Sequence, residues 1–167
     1  MIEIVGAIKN PEFVETRSGL VIPSWIAEQK RRPKGVDLFC GAGGFYLGFM
    51  QAGFEVVAAV DNDPACAATY MCNLGSFPCQ FHFVEPEDGA RLEKHFEKEI
   101  LGGKKGGIRE AFVSGGGWIS HYPETPGCEH FFFGDISKLS GETILRAVGS
   151  PMRSPTTTSP VAIPTRT

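Results

Sequence analysis

The sequence predicts an α/β fold with a doubly wound, mostly parallel sheet that is incomplete on its C-terminal side. From Val36 onward, short apolar runs alternate with amphipathic helical segments, the pattern of strand–helix–strand units. The first run leads through a glycine-rich turn, Cys40-Gly41-Ala42-Gly43-Gly44, directly into a helix start. Phe39, Asp61 and Asp135 each close an apolar run, and ligands of parallel sheets bind outside such strand ends. The alternation stops after Val148.

Taken in order, residues 1–35 form an N-terminal extension. Extended pieces at Ile2 to Ile8 and Leu20 to Ile22 are separated by Asn10-Pro11 and Ser18-Gly19, with a short helix after Ser24. Residues 36–149 form the main unit. A strand at Val36 to Phe39 is followed by a helix from Gly44 to Ala52, a strand from Glu55 to Val60 and a helix from Pro64 to Cys72. Asp63 with Pro64 supplies an N-cap with proline at the first helical position, and Asn73 with Gly75 supplies the stop.

Phe81 to Val84 reads as a further strand, and Asp88 as the cap of a helix whose Leu92, Phe96 and Ile100 recur at four-residue spacing. Glycines at 102, 103, 106, 107 and 115–117 suggest an irregular insertion over about 75–130. Phe131 to Phe133 restores a strand, Gly134-Asp135-Ile136 closes it, and Ser140 caps a helix to Val148 with Glu142 in its first turn. Residues 150–167, SPMRSPTTTSPVAIPTRT, form a Ser/Thr/Pro-rich tail expected to be disordered. A natural tail and out-of-frame translation after Gly149 are both open readings.

Composition narrows the classes. With 167 residues and 42% hydrophobic content, the chain has the size of one ordinary domain. The formal charge of -3 gives no overall attraction to nucleic acid, and the compact basic run Lys30, Arg31, Arg32 and Lys34 reads as a solvated linker. Five cysteines, odd in number and without paired C-x-x-C spacing, suit reduced thiols in a cytoplasmic protein rather than a metal site. No membrane span or leader is expected, since no apolar run approaches about twenty residues.

The turn is not the dinucleotide fingerprint. Gly41 and Gly43 fit the first two glycines of G-x-G-x-x-G, but Tyr46 stands where the third belongs. A nucleoside without a pyrophosphate is favoured. The block VDLFCGAGGF, followed by LGF, QAGFEVVAAVD and later GDI, resembles the N-terminal part of DNA (cytosine-5)-methyltransferases over Val36 to Val148. The resemblance implies a fold of the S-adenosylmethionine-dependent methyltransferase type and S-adenosyl-L-methionine as cofactor. It assigns Phe39, Cys40, Gly41, Ala42, Gly43, Gly44, Phe45, Asp61, Asn62, Asp135 and Ile136 to the cofactor pocket. Asp61 would accept from the ribose hydroxyls, Asp135 from the adenine amino group, and the Ile136 amide would donate to a ring nitrogen. Phe39 would face the adenine, and the amides of Gly41, Gly43 and Gly44 would meet the methionine carboxylate.

Structural readings stand beside these. Asp63 serves as a cap, Asp135 could be a turn residue, Phe39 a core residue and Cys40 a buried filler. Asn62 occupies a position that is often bulky in relatives. Enzymes of this family add a cysteine thiolate to cytosine C6, from a Pro-Cys loop that follows the GDI block. Here Phe77-Pro78-Cys79-Gln80 has that wording but precedes Asp135, so Cys79 reads as a coincidental match and no catalytic residue is assigned. The expected activity is methyl transfer to C5 of cytosine in DNA, in a restriction-modification setting. The chain alone is expected to be inactive, because the catalytic loop and the target-recognition domain follow the matched part in relatives. One half of a split enzyme completed by a second chain, or a non-enzymatic cofactor-binding protein, are the alternatives.

Overall fold

The structure, a computed structural model, describes residues 4–6, 12–17, 19, 21–27, 31–103 and 127–149. The Ser/Thr/Pro tail and the glycines at 106–107 and 115–117 lie outside the described residues. Four strands, β4 (Lys34–Leu38), β5 (Glu55–Asp61), β6 (Gly75–Phe83) and β7 (Cys128–Phe133), form an all-parallel sheet in the order β4-β5-β7-β6. The central strands are nearly continuous apolar runs, as required where both faces are covered. Val56 to Val60 of β5 and Phe131 to Phe133 of β7 are all buried.

One face carries α2 (Gly44–Gln51), α3 (Pro64–Leu74) and α4 (Pro86–His95). These helices bury Tyr46, Met50, Tyr70, Leu74 and Leu92 with Phe131 and Phe133. The other face carries α5 (Gly141–Gly149), whose Ile144 packs with Ala58, Val60 and Phe132. Helices on both faces make the sheet doubly wound, as predicted.

The N-terminal residues form a separate antiparallel sheet of β1 (Ile4–Gly6), β2 (Phe13–Thr16) and β3 (Val21–Pro23), followed by the single-turn α1 (Ser24–Ala27). Ile22 and Ile26 form its small core, against which Leu47 of α2 packs. Arg32, expected in a solvated linker, is instead half-buried beside Glu55 and Tyr46, and burial draws its guanidinium below the usual range.

Three local expectations change. Strand β6 begins at Gly75, taking Phe77-Pro78-Cys79-Gln80 into the sheet with a register shift between Gly75 and Gln80. A proline is tolerated there because β6 is an edge strand in the observed order. The cap of α4 is Glu85, with Pro86 in the first turn, and Asp88 is its reciprocal partner: Glu85 N–H donates to Asp88 Oδ2 at 2.9 Å. The stretch 75–100 therefore holds a strand and a helix, both longer than or shifted from the expected ones, and most of the glycine-rich part lies outside the described residues. The stretch ends in a π-helical turn (Phe96–Ile100) that buries Phe96.

On the α5 face, His82 of the edge strand stacks on Phe132, with ring centroids 4.4 Å apart, and its Nε2 lies 3.1 Å from His130 Nδ1. Burial first, and then His130, push the His82 imidazole down to about 4. The unfolded chain thus binds a proton near 6.5 that the folded chain refuses until about 4. The stabilisation is complete above the upper value and is lost as pH falls through this window. Thermal melts should show the midpoint falling from pH 6.5 to pH 4, and His82→Gln should flatten that slope. An unchanged slope in the variant would remove His82 as the cause.

Candidate functional site

Strand β4 ends in a turn that folds back over the sheet edge. Phe39 adopts φ 57°, a left-handed conformation that a bulky side chain takes only under constraint, and its ring is 71% exposed. The constraint is visible at the two residues that follow. Cys40 N–H donates to the Val60 carbonyl at 3.0 Å, and Gly41 N–H donates to Asp61 Oδ2 at 2.8 Å.

The glycines of the turn have different duties. Gly43 has φ 102°, and a Cβ there would overlap the Leu74 methyl of α3, so both the backbone and the core demand glycine. Around Gly41 and Gly44, by contrast, an added Cβ would meet nothing within 4 Å. That side of the turn is open, and Phe45, at the second position of α2, is 71% exposed beside it.

Asp61 joins three strand ends. Its Oδ2 receives the Gly41 amide, its Oδ1 receives the Asp63 amide at 2.8 Å, and its carbonyl receives the Gly134 amide at 3.0 Å. The ends of β4, β5 and β7 are thereby tied together, the convergence expected of Phe39, Asp61 and Asp135. Asp63 performs its predicted duty, accepting from the Ala65 and Cys66 amides to cap α3. Those amides hold its carboxyl below the usual range.

The neighbouring positions fall into place around this tie. The Asn62 side chain is exposed, and its carbonyl receives Arg91 at 3.0 Å. Asp135 is exposed, and its Oδ1 accepts from the Ser137 amide at 2.9 Å, which draws its carboxyl down. Ile136 is half-buried at the start of a 3₁₀ turn (Ile136–Lys138).

Two amides assigned to the methionine carboxylate are already engaged. Gly41 N–H serves Asp61, and Gly43 N–H donates to the Cys40 carbonyl at 3.0 Å. The amides of Ala42, Gly44 and Phe45 have no acceptor among the described residues, so the free donors are displaced toward α2. The first turn of a helix leaves such amides unpaired and carries partial positive charge.

Asp37 is a further acid of the site, one that the motif does not single out. It is 2% exposed, its carboxylate accepts from the Tyr46 amide, and its Oδ2 has no hydrogen-bond partner among the described residues. Because the N-cap of α2 is Gly43, without a side chain, Asp37 caps the helix from the strand below. Burial, and then Asp61, push its carboxyl up. The sequence signal was an ionisable residue inside an apolar strand.

Cys79 lies within β6, the edge strand furthest from β4, one residue before the Gln80–His130 pairing. Its Sγ packs 4.0 Å from Met71 Sδ, and burial pushes the thiol well up. Cys40 is buried at 3% exposure with its thiol raised by burial, the filler reading rather than a nucleophile.

Part of the chain is similar to known proteins. Residues 34–94 match the family of C-5 cytosine-specific DNA methylases. This segment is similar to that family. The type II methyltransferase M.HgiGI of Herpetosiphon aurantiacus is 43% identical over 68 residues, covering 41% of this chain and 54% of the relative. M.XorII of Xanthomonas oryzae pv. oryzae is 62% identical over 43 residues, covering 26% of this chain and 10% of the relative. M.HgiDI, also of Herpetosiphon aurantiacus, is 44% identical over 71 residues, covering 42% and 23%. The chain thus spans about half or less of the length of these relatives. No solved structure matches.

The matched segment runs from β4 through α4, and so holds the glycine turn and Asp61 but not the Asp135 turn. The parallel sheet with flanking helices fits the methyltransferase fold, and the family acts with a methyl donor. Among the described residues no cluster of three or more potential metal ligands occurs, and no helix is long and apolar enough to cross a membrane.

Two substitutions separate the duties in the turn. Gly43→Ala should lower the unfolding free energy by about 2–4 kcal/mol, combining left-handed backbone strain with overpacking. Asp61→Ala, which strands two amides, should cost about 2 kcal/mol. Urea denaturation measures both, and wild-type stability in either variant would contradict the assigned contact.

Proposed function

We propose that this chain is the cofactor-binding part of a DNA (cytosine-5)-methyltransferase and that it binds S-adenosyl-L-methionine across the ends of β4, β5 and β7. The observation that carries the reading is the tie through Asp61, which gathers three strand ends around a turn that is open at Gly41 and Gly44. The donor set fits the group. The amides of Ala42, Gly44 and Phe45 suit a carboxylate at a helix N-terminus, and the exposed Phe39 ring suits a purine face. Asp61 and Asp135 each retain lone pairs beyond those used by backbone amides, enough to accept from ribose hydroxyls and an adenine amino group. Cys40, Asn62 and Ile136 complete the lining.

Bound there, S-adenosylmethionine would supply an electrophilic methyl group. The protein's own residues orient and hold; none of them removes or delivers a proton at a reacting atom. Asp37 and Asp61 place carboxylates beneath the turn, a field that suits a cationic ligand over a neutral one. Transfer to cytosine requires a thiolate and a surface that extrudes the base, and Cys79, half-buried on the far edge strand of the sheet, offers neither. The chain alone is therefore inactive on DNA. A second reading, completion by a separate chain, is favoured by the outer edge of β4, which pairs with no further strand among the described residues. The unpaired thiols suit a cytoplasmic setting.

Titration calorimetry should show S-adenosylmethionine binding to the wild-type chain. Gly44→Leu fills the open side of the turn without left-handed strain, so it should abolish binding while leaving the thermal midpoint near wild type. Binding retained in Gly44→Leu would place the cofactor elsewhere. Incubation with labelled cofactor and DNA should give no incorporation by the chain alone. Incorporation that is lost in Cys79→Ser would overturn the reading of Cys79.

A further inference from the structure

We propose that Arg91 is a purine-recognition residue of the cofactor site, its Nη1 donating to a ring nitrogen of the adenine that the Ile136 amide leaves unbonded. This inference rests on the methyltransferase reading above and gives a role to the segment between Asp61 and Asp135. Arg91 lies on α4, and its guanidinium stands where β5 and β7 part. Nη2 donates to the Asn62 carbonyl at 3.0 Å and meets Asp88 Oδ1 at 3.2 Å, and Cζ lies 4.7 Å from the centre of the Phe133 ring. Asp61 and Phe133 are register partners, so Asn62 and Gly134 are the first residues beyond the last pairing of these strands. The guanidinium therefore borders the crevice between the Asp61 and Asp135 ends, on the side of α3 and α4.

The guanidinium is fixed at one end and uncommitted at the other. Asp88 is 4% exposed, and its Oδ2 takes the Glu85 amide at 2.9 Å, so the carboxylate that holds Arg91 is itself held. Three residues separate the pair on α4, which puts them on one face of the helix. The Arg91 side chain is nevertheless 48% exposed. Both of its hydrogen-bonding contacts run through Nη2, and neither Nε nor Nη1 bonds to an acceptor among the described residues. Most of the donors of the fork remain available. A strut between Asp88 and the Asn62 carbonyl needs one nitrogen, whereas arginine brings a second in a fixed plane.

The chemistry of the site calls for such a donor. Ionised Asp61 and Asp135 only accept, and a purine offers them hydroxyl and amino groups that donate. Adenine also carries three ring nitrogens that accept, and the Ile136 amide can serve one of them. Arginine is the side chain whose geometry suits purine acceptors best. Lys138, the other cation beside Asp135, is held by Glu85 at 2.6 Å. Phe133 covers one face of the Arg91 guanidinium, and no other ring lies over the opposite face among the described residues. Arg91 is thus placed to bond the base at its edge without leaving its own anchors.

The test is titration calorimetry on the full chain with S-adenosylhomocysteine and its 1-deaza, 3-deaza and 7-deaza analogues, each of which lacks one ring nitrogen. The wild-type chain should bind two of the analogues about tenfold or more weakly than the parent, one loss arising at Ile136 and the other at Arg91. Arg91→Lys keeps a donor for Asp88 and the Asn62 carbonyl, so its thermal midpoint should stay near wild type. Its affinity for the parent should fall about tenfold, and one of the two analogue penalties should vanish while the other persists. Arg91→Met, which keeps a stem over Phe133, should erase the same penalty. A strut without contact to the base would weaken parent and analogues alike and leave every penalty in place. That result overturns the proposal, as do unchanged affinities in both variants or a wild-type chain indifferent to all three analogues. Failure of the wild-type chain to bind the parent compound would instead overturn the cofactor reading, and this inference with it, so the two failures are distinguishable.

Discussion

The carboxylate of Asp61 is the constraint on which the site depends. Strand ends in a parallel sheet diverge into loops that have no ladder to fix them, and here one side chain and its own carbonyl fix three of them. Through Gly41 it sets the exit of β4, through Asp63 the entry to α3, and through Gly134 the exit of β7. Two of these bonds end on the carboxylate and the third on the backbone carbonyl of the same residue. The exposed, left-handed Phe39 is held between the Cys40 and Gly41 bonds on one side and the strand on the other.

Beneath this tie the core supplies the rigidity. Tyr70 lies between Tyr46 and Phe131, with ring centroids 5.9 Å and 5.7 Å away, so α2, α3 and β7 share one aromatic contact. Leu74 presses against Gly43 from the same helix. The turn is therefore packed from below and free above, and its shape follows from α3 as much as from its own glycines. Asp37 is lodged at that boundary, doing for α2 what a cap residue does when the cap itself has no side chain.

Much of this was legible in the sequence because local chemistry and tertiary demand agreed. Asp63-Pro64 predicts a capped helix and delivers one; the apolar runs of β5 and β7 predict buried parallel strands and deliver them. The convergence of Phe39, Asp61 and Asp135 followed from topology alone. The failures were nonlocal. Strand β6 extends back to Gly75 because its edge position tolerates Pro78, and Glu85 rather than Asp88 is the cap because the two acids bond reciprocally, which only the folded backbone distinguishes. Asp37 went unlisted since its partner, the Tyr46 amide, is fixed only once α2 folds over β4. The engagement of the Gly41 and Gly43 amides was likewise invisible, since glycine spacing says where a backbone can approach and not which amides remain free.

The contact at Gly134 has a meaning for how such a chain can vary. A Cβ there would overlap both Val84 and the Asp88 carboxylate, and Lys138 reaches across to Glu85 at 2.6 Å. The β6–α4 unit, which the sequence reads as part of an irregular insertion, is a buttress for the Asp135 turn. Residues 84, 88 and 134 thus constrain one another, and the φ of 142° at Gly134 adds a backbone reason for glycine to the steric one.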